Sequence, residues 1–403
     1  MSKIKLIPGL FALMRMAGTR KKRIKEADFK IRNDIIGQIA KQMHPESLSL
    51  VVHSVRAENE SVRTYRLISA PDSTSLPVFQ AGQYISIKLK IGKSQTSRAY
   101  TISSAPYEAE GENGYYEITV RKKPGGLVSE YIFDNWAEGV GVNATGPHGD
   151  FFYSPLRDYK DIVAIAGGAG ITPFRSMIKQ FAEKEHEMNL TLLYGCKNEN
   201  DVLFEREIDE IIKTHPSLFR RVNVYENAPE GRPQGYLNAE FINSNLEDMQ
   251  NKTFFICGPS VMYEFLRKEF LKVGNLRRKQ LRYEVGGAPD NVTKRKDWPA
   301  NAECKTVQIT VYIQNISYDI PASTIETILT AIERAGLLLD SQCRSGECGI
   351  CRSKLNEGDV YIITDNDGRR AADKELGYIH PCSTYPLSDC RVTIPPSNPI
   401  KGR

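Results

Sequence analysis

The chain is 403 residues long, with 40% hydrophobic and 26% charged side chains; that exceeds one ordinary core and is the composition of a globular protein of two to four domains. Its net charge of +5 is gathered in residues 1–45, where eleven Lys/Arg face three Asp/Glu, so the molecule as a whole lacks the basic surface of a nucleic-acid binder. Only eight cysteines, and no amino-terminal signal pattern, argue against a secreted disulfide scaffold and for reduced thiols in a cytoplasm.

Residues 1–46 read as a basic extension. Its apolar stretch LIPGLFALM (Leu6–Met14) is far short of the roughly 20 residues of a membrane span. Beside TRKKRIK (Thr19–Lys25) it has the mixed apolar and basic character that suits an anionic lipid surface. The plainer expectation is a disordered or partner-docking arm. DIIGQIAKQM (Asp34–Met43) has a helical texture without a repeat.

Over residues 47–155 the texture becomes short β-rich runs, LSLVVHSV, VRTYRLIS, YISIKLKI, YYEITVRKK and VGVNATG, punctuated by Gly, Pro and Asn. This predicts a small antiparallel β-barrel. Residues 156–285 alternate buried-type strands (DIVAIAG, NLTLLYG, RVNVYEN, KTFFICG) with helical patterns such as ITPFRSMIKQFAEKEH and VMYEFLRKEFLKVG. Strand–helix alternation predicts a parallel α/β sheet. Residues 286–303 are polar, carry Gly and Pro and lack periodicity, and so read as a linker. From 304 to 396 a hairpin pattern, the helix-like TIETILTAIERAG, a cysteine-rich loop and RVTIP predict a compact α+β domain, with 397–403 a tail. The fold class is thus multidomain.

The cysteine loop carries the sharpest chemistry. Cys343, Cys348 and Cys351 have the spacing C-x4-C-x2-C, and Cys382 follows thirty residues on. That is the plant-type [2Fe–2S] ligand pattern. Gly346 and Gly349 let the backbone fold close enough to turn N–H groups toward the sulfurs. Structural zinc sites usually pair two C-x2-C knuckles, and only one is present here. Cys196, Cys257, Cys304 and Cys390 lie outside the pattern, where small core residues are the ordinary reading. CRSGECGIC matches the pattern C-R-x-G-x-C-G-x-C in full, so residues 304–396 resemble a plant-type ferredoxin domain, β-grasp-like in fold.

Four stretches precede it: SRAYTISSAP (Ser97–Pro106), KKPGGLVSEYI (Lys122–Ile132), AIAGGAGITPF (Ala164–Phe174) and FFICGPSVMYEF (Phe254–Phe265). A glycine turn entering a helix is a natural phosphate cradle, and in open α/β sheets ligands gather at the carboxyl ends of strands. In this order, R-x-Y-T, G-G-x-x-S, G-G-x-G-I-T-P and C-G-P-x-x-M resemble the ferredoxin–NADP reductase-like flavoproteins.

The resemblance implies roles. Arg98 would pair with flavin phosphate, Tyr100 would stack on the isoalloxazine, and Thr101 would place a hydroxyl near flavin N5. Gly125, Gly126 and Ser129 would hold the pyrophosphate, and Gly167, Gly168, Gly170, Thr172 and Pro173 the nicotinamide dinucleotide. Cys257, Gly258 and Pro259 would lie near the nicotinamide, and Glu284 would close the reductase core; Thr101, Cys257 and Glu284 are the catalytic candidates. Relatives follow that glutamate with a flavin-shielding aromatic, where this chain has Val285 and glycines. Cys343, Cys348, Cys351 and Cys382 would be the metal ligands.

FAD is expected over FMN from GPHGDF and GGLVSEYI. NADH is expected over NADPH, since the lone Lys197 reads as an ordinary solvated surface residue. The physical logic is a two-to-one electron converter: NAD(P)H gives a hydride, and the flavin and cluster divide its electrons. The expected partner is a protein acceptor such as an oxygenase or hydroxylase, and not nucleic acid. The alternatives are a membrane-surface module serving a quinone or membrane complex, and a self-contained reductase of a small organic acceptor. The expected location is cytoplasmic, with peripheral membrane contact through residues 1–45 as the variant.

Overall fold

The computed structural model describes residues 15–23, 37, 45 and 47–395, apart from 72, 74, 184–187, 274–275, 285–286, 290 and 365–366. The amino-terminal unit Met1–Met43 and the unit His44–Arg403 are separate bodies. In the first, residues 15–23 are helical and exposed. The LIPGLFALM stretch lies outside the described residues, as does DIIGQIAKQM apart from helical Gly37. No helix among the described residues is long and apolar enough to cross a membrane.

The second unit begins with strands β1 (Leu48–Asn59), β2 (Val62–Ser69), β3 (Tyr84–Ile91), β4 (Ser94–Thr101), β5 (Tyr116–Arg121) and β6 (Gly141–His148), with helix α1 (Leu127–Asn135) between the last two. They pair antiparallel in the order β4-β3-β6-β1-β2-β5. An isolated bridge between Ile102 and Ile118 joins the two outer strands and closes the sheet, the barrel solution to the exposed-edge problem. Alternate residues point inward, so Leu50, Val52, Tyr65, Leu67, Ile85 and Ile87 meet Ile132 and Trp136 in one core.

The next sheet is parallel, in the order β11-β10-β7-β8-β9. Its strands are β7 (Asp161–Gly167), β8 (Asn189–Cys196), β9 (Phe219–Tyr225), β10 (Lys252–Cys257) and β11 (Leu281–Tyr283). The helices are α2 (Thr172–Glu183), α3 (Glu205–Thr214), α4 (Ala239–Ser244) and α5 (Ser260–Phe270). The strands read as unbroken apolar runs because both faces are covered. Ala164 and Ala166 pack under Phe174 and Met177, while Val163 and Ile165 pack under Leu266 and Phe270. Central β7 pairs with β8 on one side and β10 on the other, so a crevice opens at their carboxyl ends.

The last domain has β12 (Thr306–Ile313), β13 (Ile316–Ser323), α6 (Ile328–Arg334), β14 (Ser353–Glu357), β15 (Val360–Ile362), α7 (Ala371–Glu375), β16 (Tyr378–Ile379), β17 (Thr384–Pro386) and β18 (Cys390–Ile394). The main sheet runs β13-β12-β18-β14-β16, and β15 pairs with β17. Helix α6 is shorter than TIETILTAIERAG suggested, because the Thr327 side chain accepts from the Thr330 N–H and caps it. Within the aperiodic stretch 286–303, Val292 and Trp298 pack on Tyr361 and Tyr385, so part of that stretch serves as an apolar anchor.

Candidate functional site

One cavity of about 1110 Å³ lies where the barrel, the parallel sheet and the cysteine loop meet. Arg98, Tyr100 and Thr101 line it from β4, and Gly125, Gly126 and Ser129 from the turn into α1. Gly167, Gly168, Gly170 and Thr172 line it from the end of β7, and Cys257, Gly258 and Pro259 from the end of β10. Glu284, Cys343 and Cys382 complete the set. Pro173 is buried in the first turn of α2 behind this surface. Cys348 and Cys351, of the same loop, are not part of the lining.

On β4, residues 96, 98 and 100 share a face by the two-residue repeat. Arg98 donates through Nη1 to Thr96 Oγ1 at 2.6 Å and to the Ser97 carbonyl at 2.7 Å. Burial, and then the nearby Arg344 charge, lower its pKa to about 10. In the next turn Gly125 takes φ +72°, a left-handed conformation that suits glycine. A Cβ on Gly126 would lie 2.6 Å from Ser129 Oγ and 2.9 Å from the Lys123 carbonyl. The Ser129 hydroxyl accepts from the Lys123 N–H at 3.0 Å and so ties the turn.

The two nucleotide-side loops approach too closely for side chains. A Cβ on Gly170 would sit 2.2 Å from the Cys257 carbonyl oxygen, and one on Gly167 would sit 2.6 Å from Met262 Sδ. Thr172 Oγ1 donates to the Ala169 carbonyl at 3.1 Å and holds the turn that begins α2.

Between barrel and sheet, Glu284 collects two donors. Thr101 Oγ1 donates to its Oε1 at 2.6 Å, and the Cys257 thiol donates to its Oε2. The Glu284 N–H bonds to the Ile256 carbonyl at 2.9 Å, which registers it beside β10. Burial pushes the Glu284 carboxyl above the usual range, against these two hydrogen bonds. Burial, then the Glu284 charge, pushes the Cys257 thiol up as well. Val285, where relatives have an aromatic, lies outside the described residues.

In the cysteine loop Cys343, Cys351 and Cys382 are buried and Cys348 is exposed. Positive φ angles at Arg344 (+58°), Gly346 (+89°) and Gly349 (+71°) curl the backbone around them. The Gly346 N–H points to Cys382 Sγ at 3.2 Å and the Cys348 N–H to Cys343 Sγ at 3.4 Å. The thiols also meet each other, Cys343 with both Cys348 and Cys382, and Cys351 with Cys382. Buried His380 bonds through Nδ1 to the Gly346 carbonyl at 2.6 Å, so it packs the loop. Among the described residues no group of three His, Cys, Asp or Glu is arranged to hold a metal ion. Four thiols in mutual contact, with inward N–H donors, instead fit the ligands of a two-iron cluster.

Local motifs missed several lining residues: Tyr84, Arg121, Asp201, Glu226 and Tyr236. Arg121, for example, pairs with Asp201 at 2.8 Å across eighty residues of chain, where no local pattern announces it.

Comparison with known proteins agrees with this layout. The family description "Oxidoreductase FAD-binding domain" matches residues 49–153, "Oxidoreductase NAD-binding domain" matches 164–268, and "2Fe-2S iron-sulfur cluster binding domain" matches 311–387. NADH-cytochrome b5 reductase 1 of Dictyostelium discoideum is 32% identical over 222 residues, 54% of this chain and 74% of that protein. The chain belongs to the ferredoxin–NADP reductase-like flavoproteins. This reductase carries its ferredoxin domain at the carboxyl end. The glycine betaine monooxygenase reductase subunit of Chromohalobacter salexigens is 29% identical over 356 residues, covering 83% of this chain and 94% of that one. Phthalate dioxygenase reductase shares the fold, with TM-score 0.62 at 22% identity over 87% of this chain and 98% of that one. The reductase is therefore an NAD(P)H-dependent oxidoreductase that uses FAD and a [2Fe–2S] cluster.

Proposed function

We propose that this reductase draws electrons from NADH and delivers them to a separate oxygenase- or hydroxylase-type protein, with the residues above in the roles their motifs imply. One observation carries the reading: Cys343 and Cys382 line the same cavity as Arg98, Tyr100, Thr101 and Gly168. Two of its relatives are named as reductase components of a monooxygenase and a dioxygenase. When bound, FAD takes a hydride from the nicotinamide and passes the two electrons on singly.

The chain's own groups orient and shield. Arg98 meets a flavin phosphate with a planar fork suited to it, Tyr100 packs on the flavin ring, and Gly125, Gly126 and Ser129 cradle the pyrophosphate. Gly167, Gly168, Gly170, Thr172 and Pro173, with Gly258 and Pro259, take the dinucleotide. A proton reaching Thr101 Oγ1 finds a Glu284 carboxyl whose affinity for it is raised. Cys343, Cys348, Cys351 and Cys382 supply the four thiolates. NADH is favoured because Lys197 shares its part of the cavity with the carboxylate of Glu226, which opposes a 2′-phosphate there, while Asp201 is taken up by Arg121.

The test is the Cys348→Ser holoprotein under anaerobic NADH. Cluster absorbance should vanish and cytochrome c reduction should slow, while flavin reduction continues. Loss of flavin reduction together with the cluster would refute separate centres acting in series.

A further inference from the structure

Where β4 of the barrel meets the ferredoxin domain, four polar side chains interlock. Glu333, on α6, is 2% exposed. Arg344 grips both its carboxylate oxygens, with Nη2 3.0 Å from Oε2 and Nη1 on Oε1. The same Oε2 accepts the Thr96 hydroxyl at 3.0 Å, from a residue 237 positions earlier in the chain. Thr96 Oγ1 in turn accepts from Arg98 at 2.6 Å. A second contact runs beside it, Ser97 Oγ donating to the Ser341 carbonyl at 3.0 Å.

We propose that Thr96 and Glu333 are positioning residues that, with Arg98 and Arg344, clamp the cysteine loop to the flavin-binding strand and thereby set the rate of flavin-to-cluster electron transfer. The proposal rests on the flavin and cluster roles assigned above.

Its physical basis is the position of each partner. Thr96 lies two residues from Arg98 and four from Tyr100 on one face of β4, so a pull on its hydroxyl registers that face. Arg344 follows Cys343 directly and holds φ +58°, a conformation a non-glycine residue keeps only when its surroundings impose it. The Glu333 fork imposes it and so fixes the first cysteine. A buried carboxylate that loses one partner is left under-compensated, which makes the contact all-or-none rather than gradual. The step at stake balances simply: NADH leaves as NAD⁺, and the two electrons of its hydride pass one at a time. Each transfer oxidises the flavin and reduces the cluster by one electron, and the released proton goes to solvent.

The experiment uses the full-length holoprotein with Thr96→Val, which keeps the shape and removes the hydroxyl, and Glu333→Gln as a second variant. Rapid mixing with NADH under anaerobic conditions reads flavin bleaching and cluster reduction as separate phases. Flavin bleaching should keep its rate, while cluster reduction slows about tenfold or more, since small misplacements of reacting centres carry such penalties. The visible spectrum and the electron paramagnetic resonance of the chemically reduced cluster should match the parent. Amide exchange over residues 94–101 and 341–352 should rise before any NADH is added. Should Glu333→Gln lose its cluster, Thr96→Val alone decides. Cluster reduction and amide exchange both unchanged in Thr96→Val would overturn the clamp, as would an equal slowing of both phases. A parent protein whose cluster NADH never reduces would remove the underlying assignment instead.

Discussion

Glu284 shows how one side chain joins two domains of this reductase. It takes a hydroxyl from the barrel and a thiol from the nucleotide domain, and it sits at the end of β11. Burial raises its pKa, so it binds a proton more tightly folded than unfolded. Its stabilising contribution is complete below the ordinary glutamate range near about 4.3 and is lost as pH rises through the folded value. Glu284→Gln cannot titrate. The melting temperature of the variant relative to the parent should therefore climb as pH rises above the ordinary glutamate range; a difference independent of pH would count against a raised carboxyl. Gly170 makes the complementary point by having no side chain. Its missing Cβ would lie 2.2 Å from the Cys257 carbonyl. Gly170→Ala should cost about 1–3 kcal/mol by overpacking and raise KM for NADH with flavin content unchanged, as steady-state kinetics and released flavin would show.

At the scale of elements, the junction of α2 with the barrel rests on a buried charge network. Arg175 on α2 pairs with Glu117 of β5 at 2.7 Å and Glu207 of α3 at 2.6 Å, and Arg175 and Glu117 are each 3% exposed as side chains. Lys179, one turn on, meets Glu108 at 2.7 Å and Glu207 at 3.0 Å. Against the pull of burial, these cations hold Glu117 below the usual carboxylate range and bring Glu207 to about 2. The contribution of both carboxylates is thus present above the ordinary carboxylate range and is lost as pH falls toward 2. Removing Arg175 strands Glu117, though Arg66 remains 3.0 Å away. Arg175→Met should cost about 3 kcal/mol, the low end for a broken buried pair, and flatten the acid limb of the stability curve. Denaturant midpoints from about pH 3 to about pH 7 would measure both effects.

At the scale of the molecule, the ferredoxin domain is held at two ends: by the Thr96–Glu333 contact and by the stretch before β12. There Trp298 meets Tyr361 and Tyr385 edge-on, with ring centroids 5.0 Å and 6.1 Å apart. Arg295 reaches both the Tyr361 hydroxyl at 2.9 Å and Glu264 of α5 at 3.5 Å. Trp298→Ala should lower stability by about 3 kcal/mol, the low end for a tryptophan deletion because the indole is half-buried. It should also slow cluster reduction more than flavin reduction; equal effects on both would mean that the anchor does not hold the domain in place.

Much of this reductase was legible in one dimension. The cysteine spacing, the apolar strand runs and the glycine turns are short-range patterns, because loop curvature, sheet burial and close backbone approach each act over a few residues. They were enough to read three domains in order and the motif residues that line the cavity, though not Tyr84, Arg121 or Tyr236 beside them. Other features had no local sign. The aperiodic stretch 286–303 read as a linker, yet Trp298 found its partners some sixty and ninety residues away. Short helix α4 went unread, and α6 began late because one threonine capped it. The Thr101–Glu284 and Thr96–Glu333 contacts span 183 and 237 residues, and nothing in either segment marks the other. By itself the sequence determined which chemistry the chain holds, since ligand sets and cradles are local. Only the tertiary structure decided how those pieces face one another, because docking depends on surfaces that exist only once separate domains have folded.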